Sequence, residues 1–153
     1  MNTMDKNGNE IDKRSFRLGV IYCFAEMVSV GVKKLALSPP LLPEEYEEIL
    51  DGSDKIVLDF KIKSCLDKSF LVTDLFSEEL TKDKWVILYF NEDDVLEIYN
   101  SLINRKHELL KADKYTGNER REIAVEFGKL LCYPERKIEE MLSKGPSGLP
   151  SIE

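Results

Sequence analysis

The run Trp85-Val86-Ile87-Leu88-Tyr89-Phe90 constrains this chain more than any other stretch. Its unbroken apolar character, without the alternation of a half-exposed strand, predicts a central strand of a sheet. Asn91-Glu92-Asp93-Asp94 follows at once, with Asn91 suited to cap a helix and the acids suited to its positive end. A buried strand that feeds directly into a helix therefore anchors the expected architecture.

The remaining elements are read outward from that strand. Phe16, Val20, Ile21, Phe24, Met27 and Val28 recur at helical spacing and predict a helix over 15–30 with a wide buried face. The stretch 32–38 stops at Pro39-Pro40 and reads as a short strand. Pro43, the acids Glu44, Glu45, Glu47 and Glu48, and Gly52 are start and stop signals for a helix ending near Leu50. Residues 56–63 and 70–73 are β-prone and, with 66–69 as a turn, predict a hairpin; 77–80 reads as a single helical turn.

Beyond Asn91 the pattern is helical. Val95, Ile98, Leu102 and Leu109 mark one stripe, and Tyr115-Thr116-Gly117-Asn118 interrupts it, with Thr116 and Glu119 at capping-box spacing. Ile123, Phe127, Leu130 and Leu131 carry the next helix. Tyr133-Pro134 ends it, and Pro134 is expected at the first position of a last helix that runs to Gly145-Pro146. The sum is an α+β domain, a small mixed sheet of about four strands packed against helices, with a C-terminal helical segment. Residues 1–14 read as a flexible arm, 15–145 as one domain and 146–153 as a tail.

A chain of 153 residues that is 42% apolar has material for one substantial core. Its formal charge of -7 disfavours wrapping by phosphates or anionic lipid. The charge is uneven: residues 1–100 carry a net -8 and residues 101–153 a net +1, so an anionic partner would prefer the C-terminal third. No secretory signal is visible at the N-terminus, and Arg17, Glu26, Lys33 and Lys34 interrupt the longest apolar stretch, which argues against a membrane span. Cys23, Cys65 and Cys132 lack zinc-ligand spacing and predict reduced thiols in a cytoplasmic protein.

No catalytic, metal-binding or cofactor-binding constellation stands above a structural explanation. His107 is the single histidine and has no nearby partner for a triad or a metal site. Glu92, Asp93 and Asp94 follow a strand, where general-base chemistry often sits, but helix capping accounts for them. Asp59 and Asp74 are further carboxylates whose mutual distance is not legible. Arg120, Arg121, Tyr133, Arg136 and Lys137 are the candidate binding residues: cations and an aromatic about the C-terminal turn, a combination that holds single-stranded RNA by phosphate contact and stacking. Interleaved acids, among them Glu119, Glu122, Glu126, Glu135 and Glu139, argue instead for a solvated helix face.

The segment Phe127-Gly128-Lys129-Leu130-Leu131-Cys132-Tyr133-Pro134-Glu135-Arg136-Lys137-Ile138 resembles a mainly archaeal family, domain of unknown function 483, with the pattern Gly-x-Leu-Leu-Gly-Tyr-Pro-x-Cys-Cys-Val. Cys132 stands where that pattern has glycine, and Arg136 and Lys137 where it has adjacent cysteines. The resemblance implies a shared helix-turn-helix element and no activity.

These observations together favour a non-enzymatic intracellular binding or regulatory domain, with a protein partner or self-association ahead of nucleic acid and no membrane. An RNA-associated protein using the last three helices is the alternative. A small-molecule enzyme using Glu92, Asp93, Asp94 or His107 is the second alternative, and it requires those side chains to share a cleft.

Overall fold

The computed structural model describes residues 4–144. Five α-helices and three strands follow one another as α1 (Lys13–Ser29), β1 (Leu35–Leu37), α2 (Pro43–Phe60), β2 (Lys63–Asp67), β3 (Val86–Phe90), α3 (Asp93–Lys111), α4 (Gly117–Leu130) and α5 (Glu135–Lys144), with one 3-10 turn at Glu78–Leu80. The fold is α+β.

β3 lies in the middle of the sheet, antiparallel to β1 on one side and to β2 on the other, with Leu37 opposite Leu88 and Cys65 opposite the same residue. Every residue of β3 is buried because its alternate side chains enter two different cores. Ile87 and Tyr89, with Ala36 of β1, face α1 and α2 among Ile21, Ala25, Val28 and Ile49. Val86, Leu88 and Phe90, with Leu35 and Leu37, face Tyr99, Leu102, Phe127 and Ile138 of the last three helices. The unbroken apolar run is thus the signature of a strand covered on both sides. The sheet has three strands, all antiparallel, where about four in a mixed sheet were expected.

The difference arises at residues 56–63. These continue α2, which turns off only at Lys61 in the left-handed conformation (φ 55°), where Ile62 N–H donates to Val57 O. Gly52, expected just past a helix end, lies inside α2. A Cβ there would approach Leu18 Cδ2 to 2.8 Å, so the missing side chain lets α1 and α2 pack closely. Ile56, Val57 and Phe60 then join the core at helical spacing while Leu58 points outward. The strand falls later, at Lys63–Asp67.

Residues 70–73 are not a strand either, although Phe70, Leu71 and Thr73 are buried. Side chains of α3 bind their backbone in place of a neighbouring strand: Leu71 N–H donates to the Tyr99 hydroxyl at 3.0 Å, and Lys106 Nζ donates to Val72 O at 2.7 Å. The Tyr99 hydroxyl also donates to Asp67 at 2.5 Å, tying the end of β2 to the same helix.

Smaller corrections concern helix ends. Glu92 rather than Asn91 is the N-cap of α3, and Thr116 caps α4 without any side-chain cap bond, so the expected capping box does not form. Pro134 sits just before α5, its carbonyl accepting from the N–H groups of Lys137 and Ile138. Within the N-terminal segment, Asp5 accepts from the N–H groups of Asn7 and Asn9 at 2.8 Å each. The tail expected at 146–153 and the Gly145-Pro146 stop lie outside the described residues. No helix among the described residues is long and apolar enough to cross a membrane.

Candidate functional site

The α4–α5 turn is built by backbone chemistry. Cys132 N–H donates to Lys129 O and Tyr133 N–H to Gly128 O, closing the helix end, while Cys132 adopts φ 62°. That left-handed conformation favours glycine, so Cys132 carries backbone strain there. Leu131 is thereby left buried, and its carbonyl is free to accept a side-chain donor.

Lys33, in the link between α1 and β1, supplies that donor: its Nζ lies 2.8 Å from Leu131 O. The ammonium also sits 5.5 Å from the ring centroid of Phe24 and 5.3 Å from that of Tyr133. Beside it opens a cavity of about 220 Å³ whose other walls include Val20, Leu37, Ser38 and Pro39. Ser38 has its one hydroxyl donor engaged, donating to Pro39 O and accepting from Ile87 N–H at 2.9 Å each. Burial pushes the Lys33 ammonium below its ordinary range, partly opposed by the nearby Cys132. Burial also pushes the Tyr133 phenol up, so it stays neutral at physiological pH. Cys132 Sγ accepts from Lys34 N–H at 3.3 Å, which closes the turn onto the α1–β1 link.

Lys33 makes no ion pair with a carboxylate among the described residues. An ammonium has three N–H donors, and one carbonyl occupies one of them. A half-buried cation left with spare donors on an apolar wall is therefore suited to an anionic group carried by an apolar body.

The five residues singled out in the sequence do not form one patch. Tyr133 faces Lys33. Arg120 turns away toward Asp74, which it grips through two bonds of 2.8 and 2.6 Å, and the pairing holds the Asp74 carboxyl below its usual range. Arg121 pairs with Glu139 across α4 and α5. Arg136 and Lys137 are exposed on α5 and make no ion pair among the described residues. Acids thus cancel two of the four cations.

The strand-end acids and His107 do not converge. Glu92, Asp93, Asp94 and His107 are all exposed, Asp93 is paired with Lys63 at 2.6 Å, and His107 lies about 21 Å further along the same helix at 1.5 Å per residue. Asp59 is engaged by Lys55 on α2 and Asp74 by Arg120, so they form no pair. Cys23, Cys65 and Cys132 are free and exposed, and no group of acids, cysteines and histidine among the described residues could hold a metal.

Lys33, Phe24 and the Leu131 carbonyl were missed in the sequence because Lys33 registers there only as an interruption of an apolar stretch. The one available signal was its position beside a Gly31 break, where a lysine is free to fold back.

In class, the chain is a helix-rich α+β domain with a lysine-centred apolar cavity beside its C-terminal helical turn. No protein-family model, curated protein or solved structure matches it.

Proposed function

We propose that this chain is a non-enzymatic binding domain of the cytoplasm whose ligand is a small monocarboxylate with an apolar body, seated in the Lys33 cavity. The observation that carries the reading is the half-buried Lys33 ammonium, held by one carbonyl and two rings and lacking a carboxylate partner among the described residues. At about 220 Å³ the cavity is smaller than the roughly 300–1,000 Å³ typical of drug-sized ligands, which fits a compact acid. Tyr133, neutral and part of the wall, contributes surface rather than proton transfer. Free, exposed thiols fit a reducing compartment. Calorimetric titration with phenylacetate and hexanoate tests the reading: wild type should bind both, and Lys33→Met should weaken binding at least about ten-fold. Equal binding by the two proteins, or none by wild type, removes it.

A second reading, self-association, is supported by a stripe along α1 and its C-cap residue Val30. Phe16, Val20, Cys23, Met27 and Val30 recur at alternating steps of four and three residues, and Phe16, Met27 and Val30 are 39, 39 and 69% exposed. Such spacing is that of a helix-pairing seam. Sedimentation equilibrium should then show a dimer that Met27→Lys dissociates; a monomer at all concentrations refutes it.

A further inference from the structure

A second cavity, of about 380 Å³, opens between residues 72–78, the C-terminal half of α3 and the start of α4. Its charges fall into two sets. Arg120 and Asp74 satisfy one another through two parallel bonds, and the Arg120 guanidinium lies 5.1 Å from the Tyr115 ring centroid. That pair is closed and neutral. Lys106 and Glu78 are not closed. Lys106 Nζ donates to Val72 O at 2.7 Å and lies 5.3 Å from the same ring, yet makes no ion pair among the described residues. Glu78 is exposed and likewise makes no ion pair among the described residues, although its charge acts on Lys106.

The cavity is therefore lined by a cation and a carboxylate that form no ion pair with each other or with any other described residue. A simple anion would satisfy Lys106 while facing Glu78 and Asp74, and a simple cation would meet the reverse difficulty. A ligand carrying both charges on one short frame satisfies each without displacing the Arg120–Asp74 pair. Phe76, Tyr115 and Leu110 supply apolar surface beside these charges, and Leu110 is 53% exposed, so a covering side chain would remove it from water.

We propose that this second cavity binds a free apolar α-amino acid, with its carboxylate on Lys106, its ammonium on Glu78 and its side chain over Tyr115 and Leu110. The proposal is independent of the Lys33 cavity, which has no carboxylate in its lining.

The test is calorimetric titration of the whole chain with leucine, with 4-methylpentanoate and 3-methylbutylamine as competitors that each keep one of the two charges. Leucine should bind, and each competitor should displace it with an affinity at least about ten-fold weaker. Glu78→Gln, a substitution at an exposed site that leaves the fold intact, should weaken leucine about ten-fold without weakening displacement by 4-methylpentanoate. In a Lys33→Met background, which removes the separate site for monocarboxylates and should leave leucine binding unchanged, Lys106→Met should weaken both acids. The proposal is overturned if leucine does not bind, if 4-methylpentanoate competes as well as leucine itself, or if Glu78→Gln binds leucine as wild type does.

Discussion

Replacing Gly128 by alanine tests how closely the turn between α4 and α5 is packed. A Cβ at this position would lie 2.8 and 2.9 Å from Ile138 Cγ1 and Cδ1 and 3.3 Å from Leu75 Cδ1. Ile138 is 1% exposed and Leu75 fully buried, so neither has open space to move into. Overpacking of this kind costs about 1–3 kcal/mol, against a gain of about 1 kcal/mol for alanine over glycine within a helix. With both neighbours enclosed the upper part of that range, about 2–3 kcal/mol, applies, so a net loss of about 1–2 kcal/mol follows, or roughly 3–6 °C in Tm for a chain of this size. Gly52→Ala is the matched control. There the Cβ would meet the two Cδ atoms of Leu18, the free end of a half-buried side chain, and the net change should be within about 0.5 kcal/mol. Urea denaturation of both variants measures the difference. If Gly128→Ala is as stable as wild type, α5 can slide away from α4, and the fixed placement of Leu131 and Tyr133 fails with it.

Tyr99→Phe removes the hydroxyl that serves Leu71 N–H and Asp67 together, leaving a buried donor unpaired, and should cost about 2–3 kcal/mol by urea denaturation. A loss below about 0.5 kcal/mol would mean that water replaces the hydroxyl. Acid sensitivity should trace in part to Asp74. Because Arg120 holds its folded-state ionisation below the unfolded value of about 3.9, its contribution is complete above that pH and is lost as pH falls through the lower, folded value. Thermal melts from neutral to about pH 3 should therefore fall less steeply for Asp74→Asn than for wild type, and parallel curves would sink the assignment.

Much of the fold was legible because local chemistry and burial agree. The apolar run at 85–90, the Pro43 and Pro134 helix starts and the break at Tyr115–Asn118 all mark real features. The failures share a cause: tertiary contacts overrode local signals. Gly52 looks like a stop until Leu18 of a distant helix is placed against it, and residues 70–73 look like a strand until Tyr99 and Lys106 supply the missing hydrogen-bond partners. The candidate site was legible only at Tyr133. Lys33 joins it through a bond spanning 98 residues of sequence, and Arg120 departs from it because Asp74, 46 residues away, takes its charge. Charges near one another in sequence say little about which way each will fold.

An organic anion held by Lys33 in the cavity beside the α4–α5 turn would alter the surroundings of the backbone amides that line it. Amide chemical-shift mapping of the labelled chain during titration with phenylacetate tests it most directly. Saturable shifts should concentrate at Phe24, Lys33, Lys34, Ser38, Cys132 and Tyr133, and should be lost in Lys33→Met. Shifts centred on other surfaces, or the same shifts persisting in Lys33→Met, would contradict it.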